Sequence, residues 1–198
     1  MTNPQAPAFE YRTARPEDRE AIEALDGSFV TSTVFEVTRP VDGFGFALRE
    51  VAVDPPLRKV FPPDQDDEAD EDDQDDDGDV GDGREECSRT FVAVAAGSVC
   101  GFATVTYAPW NRRLTVDDIE VAPAHRGRGV GRALMELAAG FARERGAAHL
   151  WLEVSSVNAP AVHAYRRMGF TLCGLDTALY EGTPAAGEQA LFMSRPCG

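Results

Sequence analysis

Residues 112–154, RRLTVDDIEVAPAHRGRGVGRALMELAAGFARERGAAHLWLEV, decide the fold. RRLTVDDIEVA alternates and ends at Pro123, which predicts a strand; the glycines from Gly127 to Gly131 lead into a long amphipathic helix; HLWLEV predicts another strand. Strand, loop, helix and strand in that order join two strands of one sheet by a crossover.

The flanks extend the same sheet. FEYRTAR alternates, and Pro16 then opens a helix over EDREAIEALDGSF, with Ala21, Ile22 and Leu25 at helical spacing. TVFEVTR and GFALREVAV flank an Asp-Gly turn and read as a hairpin that ends before Pro55 and Pro56. RTFVAVAA and VCGFATVTY form a second hairpin around Gly97 and Ser98. Asn158 opens a short helix through Arg167, Gly169 turns the chain into the strand FTLCGL, and QALFMSR closes the sheet. The expected fold is α/β, a single domain over 1–198 with a mixed, mostly antiparallel sheet and flanking helices.

Composition narrows the function. At 198 residues with 43% hydrophobic and 27% charged residues, the chain can bury a core. No apolar run reaches the roughly 18 residues of a membrane span, and the N-terminus lacks a basic start followed by an apolar stretch, so a cytoplasmic protein without membrane contact is expected. The net charge of −15 is local: residues 64–86 hold 15 acids against Arg84 alone, leaving 19 acids and 18 bases elsewhere. That run cannot bury an apolar face and is expected to be a disordered acidic loop. A nearly neutral remainder has no basic footprint for nucleic acid. Cys87, Cys100, Cys173 and Cys197 form no CxxC pair, and no histidine stands at ligand spacing, so neither a metal site nor a disulfide framework is expected. Cys100 and Cys173 read as small buried hydrophobes. His125, His149 and His163 fall in different elements and form no catalytic triad.

The glycine loop implies an anion. In Arg126-Gly127-Arg128-Gly129-Val130-Gly131-Arg132, successive amides at a helix N-terminus stand free of side chains, and glycines admit a pyrophosphate close to the backbone. The spacing differs from a P-loop, which needs a lysine, and from a dinucleotide fingerprint, because the glycines run GxGxG.

With Arg126, Gly129 and Gly131 in this order, and Asn158, Ala161, Tyr165 and Met168-Gly169-Phe170 following, the chain resembles the GNAT superfamily of N-acetyltransferases. Stretches such as TVFEVTRPVDGF, WNRRLTVDDIEVAPAHRG and LWLEVSSVNAPAVHAYRRMGFTLCGLDTALY are similar to the streptothricin (nourseothricin) acetyltransferases over nearly the whole chain. That resemblance implies acetyl-CoA as cosubstrate, no metal, and an acceptor amine on the β-lysine portion of a cationic antibiotic. Which amine is acetylated, and whether the enzyme is a monomer or a homodimer, stay open. Two other readings are a protein or peptide N-terminal acetyltransferase, and an acidic interaction module with a degenerate cofactor loop.

Acetyl transfer to an amine needs a base, because an aliphatic ammonium has a pKa near 10. A period of two places Leu114, Val116, Asp118 and Glu120 on one face, with Glu120 just before the cofactor loop; Glu153 stands at the C-terminal edge of the next strand, where open α/β sheets keep their ligands. In related N-terminal acetyltransferases a glutamate twelve residues before the signature tyrosine acts as base, and Glu153 precedes Tyr165 by twelve. Glu153 is therefore the first candidate and Glu120 the second, while either could instead bind the cationic substrate. The resemblance makes Tyr165 the donor to the leaving thiolate and the amide of Val121 the group that polarises the thioester. Asn158 is a helix N-cap, a pantetheine contact, or both. Asp118 is a candidate to bind substrate charge, and Trp110 to wall the acceptor pocket or stack on a cation.

Overall fold

The structure, a computed structural model, describes residues 8–41, 44–60 and 87–197. Seven strands form one sheet: β1 (Phe9–Thr13), β4 (Ser88–Ala95), β5 (Ser98–Ala108), β6 (Arg113–Val121), β7 (His149–Ser155), β8 (Thr171–Asp176) and β9 (Ala190–Pro196). Their order is β1-β4-β5-β6-β7-β9-β8, antiparallel except for the β6/β7 pair. β2 (Phe29–Thr38) and β3 (Ala47–Lys59) form a separate two-stranded ribbon. Among the described residues the helices are α1 (Arg19–Glu23), α2 (Val130–Glu144) and α3 (Ala159–Arg167). The α/β class and the mixed, mostly antiparallel sheet with flanking helices are as expected. The Asp-Gly turn and the acidic run at 64–86 lie outside the described residues.

Local chemistry explains where the elements fall. Ala96 and Gly97 both adopt positive φ, 51° and 83°, and pair Ala95 with Ser98, so the β4–β5 turn sits one residue earlier than expected. Its left-handed pair matches the twist of the strands. The first helix is shorter than its pattern: Pro16–Asp18 form a 3-10 turn, α1 covers five residues, and none of these five is buried. With no residue fully buried, a short helix has little to extend it. Conversely, β3 runs through Pro55 and Pro56, because pairing with β2 skips from Thr31–Leu57 to Thr33–Ala52 and leaves the prolines opposite no ladder bond. QALFMSR does not close the sheet at its edge; β9 lies between β7 and β8.

The core lies between the sheet and α2. Leu134, Met135, Ala138, Ala139, Phe141 and Ala142 of α2 pack on one sheet face formed by residues such as Ala103, Val105, Leu114, Val116, Leu150 and Leu152. Val162, Tyr165 and Phe170 join the same core from α3 and the turn after it. Arg195 ties the two helices together, donating to the Met168 carbonyl (3.0 Å) and pairing with Glu136 (3.6 Å).

Two features of β6 shape the site. It pairs with β7 only from Arg113–His149 to Val116–Leu152, so the strands part beyond that point. Opposite β5, the register shifts between Thr104–Asp118 and Val105–Val116, leaving Asp117 as a bulge. A bulge inserts one residue and shifts the alternation. Ile119 and Val121, not Asp118 and Glu120, therefore continue the core side begun by Leu114 and Val116.

Candidate active site at the parting of two strands

At the end of β6, the amide of Ala122 donates to the Cys100 carbonyl on β5 (2.9 Å). Alternation turns the Val121 N–H the other way, into the gap that β7 leaves open. The Val121 carbonyl, on the same side, accepts from Arg126 Nε (2.7 Å). Arg126 Nη1 also donates to the Ser28 carbonyl (2.5 Å) and Nη2 to that of Asp26 (3.4 Å). The Arg126 guanidinium thus binds protein carbonyls and clamps the segment before β2 onto β6. Its contribution to an anion is to hold the loop, since its side chain is already engaged.

Gly127 and Gly129 take φ of 71° and 84°, a conformation that favours glycine, and Gly129 is the N-cap of α2. Ala133 is the first amide to donate back into the helix, to the Gly129 carbonyl (3.0 Å). Among the described residues, the amides from Gly127 to Arg132 have no such internal acceptor. They form a row of donors at the positive end of α2, suited to a pyrophosphate. Val130 buries its side chain beneath them, and Arg128 packs its guanidinium 4.9 Å from the centre of the Phe9 ring. A groove of about 520 Å³ runs beside the loop, lined by Tyr11, Gly129, Arg132, Ala133, Glu136 and Leu137.

Across the gap, Tyr165 is buried on α3 with its ring 5.9 Å from that of Phe170. Burial, followed by the charges of Asp118 and Glu153, pushes its phenol well above the ordinary value. The phenol keeps its proton. Asn158 caps α3 by accepting the Ala161 amide at Oδ1 (3.2 Å), so the capping role is realised. Pro160 in the first turn supports the same helix start.

Glu153 lies half-buried on β7, opposite Phe192 of β9. Burial raises its carboxyl above the ordinary range, a hydrogen bond from Tyr180 opposes that shift, and the charge of Glu188 adds to it. Glu188 is held by Lys59 and by the Ser155 hydroxyl (2.5 Å to Oε2). Tyr180, Glu188 and Lys59 escape sequence reasoning: they come from the β8–β9 segment and from the end of β3, with no motif around them. The β2–β3 ribbon closes this side, donating the Phe35 amide to the Ser156 carbonyl (2.8 Å) and placing Glu50 2.9 Å from His163 Nε2 of α3.

Three expectations need correction. Glu120 is off the Leu114 and Val116 face because of the bulge; its carboxylate lies where a Cβ on Gly27 would stand, against the segment between α1 and β2. Trp110 is 85% exposed in the β5–β6 turn, at the end of β6 opposite the glycine loop, and walls no pocket at Tyr165 or Glu153. Cys173 is exposed, not buried, because β8 is an edge strand and turns it outward; Cys100 is buried. Among the described residues no group of His, Cys, Asp and Glu could hold a metal ion.

Comparison with known proteins agrees with this geometry. The profile of the "Acetyltransferase (GNAT) family" matches residues 46–170. The chain is 62% identical over 198 residues, all of both chains, to streptothricin acetyltransferase of Streptomyces lavendulae. It is 30% identical over 176 residues, 87% of this chain and 89% of the other, to streptothricin acetyltransferase of Escherichia coli. The crystal structure of a nourseothricin acetyltransferase superposes with a TM-score of 0.82 and 64% identity, covering 96% of this chain and 99% of that one. A free row of amides at a helix N-terminus, the parting of β6 from β7, and a buried tyrosine acted on by the charges of Asp118 on β6 and Glu153 on β7 are thus found on a chain that belongs to the acetyltransferase (GNAT) family.

Proposed function

We propose that the chain is an acetyl-CoA-dependent N-acetyltransferase that acetylates an amine of streptothricin-class antibiotics, on the β-lysine portion, and so confers resistance. The observation that carries the reading is the gap between β6 and β7, which has the free amides of residues 127–132 on one side and Glu153 and Tyr165 on the other. The 62% and 64% identities to proteins named for streptothricin and nourseothricin support the acceptor. The whole of 1–198 acts as one domain, with 64–86 as an acidic insertion, in the cytoplasm where acetyl-CoA is made. No described helix is long and apolar enough to cross a membrane.

Acetyl-CoA supplies the acetyl group as a thioester, whose carbon–sulfur bond breaks as the bond from the amine nitrogen forms. The residues present fit it: the amides from Gly127 to Arg132 would hold its pyrophosphate, and the inward N–H of Val121 would serve as a fixed donor to the thioester carbonyl. Glu153 takes the amine proton. A carboxyl raised by burial is a stronger base than one in water and lies nearer the operating pH. Tyr165 donates a hydrogen bond to the departing sulfur. Because its phenol is raised above the usual value of about 10 while a thiol lies near 8.5, stabilising the thiolate by that bond is easier than giving up the proton outright. Asp118, whose charge reaches Tyr165, helps attract the cationic acceptor.

A thiol-release assay with acetyl-CoA against streptothricin, an aminoglycoside, a polyamine and a basic peptide tests the reading. Release with streptothricin far above the others is expected. Preference for the peptide's N-terminal amine would favour the peptide acetyltransferase reading instead.

A further inference from the structure

The segment between β8 and β9 is fixed at both ends. At its start, Asp176 Oδ1 accepts the amides of Ala178 (2.7 Å) and Leu179 (3.1 Å), and Arg39 of the ribbon donates to the Thr177 hydroxyl (2.7 Å). At its end, Glu188 meets Lys59 and Ser155, while the amides of Ser156 and Gln189 donate to the Gln189 carbonyl (2.8 Å) and the Ser156 hydroxyl (3.1 Å). Between these anchors, Thr183 donates from its hydroxyl to the Tyr180 carbonyl (2.8 Å) and from its amide to the same oxygen (3.1 Å). Within this ordered segment, the Tyr180 hydroxyl donates to Oε1 of Glu153.

We propose that Tyr180 is a positioning residue, which holds Oε1 of Glu153 so that Oε2 is left to accept the proton of the acceptor amine. The role rests on Glu153 being the base. Oε2 has no hydrogen bond to another described residue, so the fixed oxygen and the working oxygen are distinct atoms. In the step, the proton leaves the amine nitrogen for Oε2 while Tyr180 keeps its own. Burial and the neighbouring carboxylates push the Tyr180 phenol upward, so it remains a donor throughout. A Glu side chain has three rotatable bonds, and an unheld carboxylate would spend most of its time out of reach of the amine; displacement by about 1 Å can cost about 10²-fold in rate.

The groups facing Glu153 are Tyr180 and Glu188 from the β8–β9 segment and Tyr165 from α3, with Lys59 of β3 acting through Glu188 and Asp118 of β6 acting on Tyr165. Tyr180 is the one that donates a hydrogen bond to the carboxylate. Removing that bond moves the acid limb of kcat/KM to higher pH, because Tyr180 lowers the Glu153 pKa while Glu188 raises it.

The test compares wild type, Tyr180→Phe, Glu153→Gln and the double variant in acetyl-CoA and streptothricin turnover across pH. Tyr180→Phe keeps the ring and is expected to lower kcat by roughly tenfold to a hundredfold and to move the acid limb upward. In the Glu153→Gln background it should add less than about twofold, since a group acting through Glu153 has nothing left to position. An unaltered Tyr180→Phe profile beside a slow Glu153→Gln enzyme would overturn the Tyr180 role alone, as would equal losses from Tyr180→Phe in both backgrounds. A Glu153→Gln enzyme within about threefold of wild type would overturn the base assignment and this proposal with it.

Discussion

Glu153 and Tyr180 are joined by a hydrogen bond across 27 positions of sequence, from the hydroxyl of the tyrosine to Oε1 of the glutamate. The bond joins β7 to the segment after β8, with α3 and β8 between them in the chain, and it puts a fixed partner on a carboxylate whose burial has already raised its pKa. Desolvation and hydrogen bonding act here in opposite directions, and desolvation dominates. The result is a carboxyl more basic than one on the surface, held in one orientation beside a gap in the sheet.

Tyr165→Phe removes a hydroxyl and little else, since the ring packs on Phe170 and stays in the core. We expect kcat to fall by about 10²- to 10³-fold, the cost of losing one hydrogen-bond donor to a developing anion, with the KM for acetyl-CoA nearly unchanged, because the hydroxyl acts mainly in the transition state. Steady-state kinetics check this, and a variant within about threefold of wild type would make Tyr165 a packing residue.

Gly131 has no positive φ, and a Cβ there would meet only Val121 Cγ2 at 3.6 Å, an ordinary contact. Gly131→Ala should therefore keep the fold and even gain about 0.5–1 kcal/mol from better helix propensity. Its cost should fall on the ligand. Calorimetry is expected to show acetyl-CoA binding weakened at least about tenfold, as the methyl group blocks close approach to the amides. Unchanged affinity would contradict the placement of the pyrophosphate.

Glu120→Gln should change turnover much less than Glu153→Gln, because the bulge at Asp117 turns Glu120 toward Gly27 and away from Tyr165. Gly27→Ala should instead destabilise the fold by displacing that carboxylate, a loss visible as a lower Tm at full cofactor affinity per folded molecule. If Glu120→Gln alone removes the acid limb of kcat/KM, the base is Glu120.

Asp18 gives the fold a defined acid sensitivity. It accepts from Arg12 Nη1 (2.5 Å) and Nη2 (2.9 Å) and from the Arg15 amide (2.7 Å), and the Arg12 hydrogen bond leads in holding its carboxyl down to about 2. A folded-state pKa below the unfolded value contributes stability that is complete above about pH 4 and lost as the pH falls toward about 2. Urea unfolding at stepped pH should show that loss in wild type and a flatter dependence in Asp18→Asn.

Much of this was readable from residues 112–170, and the reason is local. Amides at a helix N-terminus need glycines at short spacing, and a capped helix needs Asn158 beside it, so both leave a pattern in consecutive residues. The face of Glu120 is not legible within β6, because the bulge is set by pairing with β5, which no alternation along the strand records. Tyr180, Glu188 and Lys59 leave no local pattern for a related reason: each acts through a partner in a distant segment. Trp110 is near the motif in sequence but not in space, because its turn sits at the far end of β6 from the glycine loop.

The central claim, that Glu153 takes the proton of a streptothricin amine, is tested most directly by the pH dependence of kcat/KM for wild type and Glu153→Gln with acetyl-CoA and streptothricin. Wild type should show an acid limb above the ordinary glutamate pKa of about 4.3, since burial raises that carboxyl. Glu153→Gln should lose the limb and fall by about 10²- to 10⁴-fold at its plateau. Superimposable profiles for the two enzymes would contradict the account.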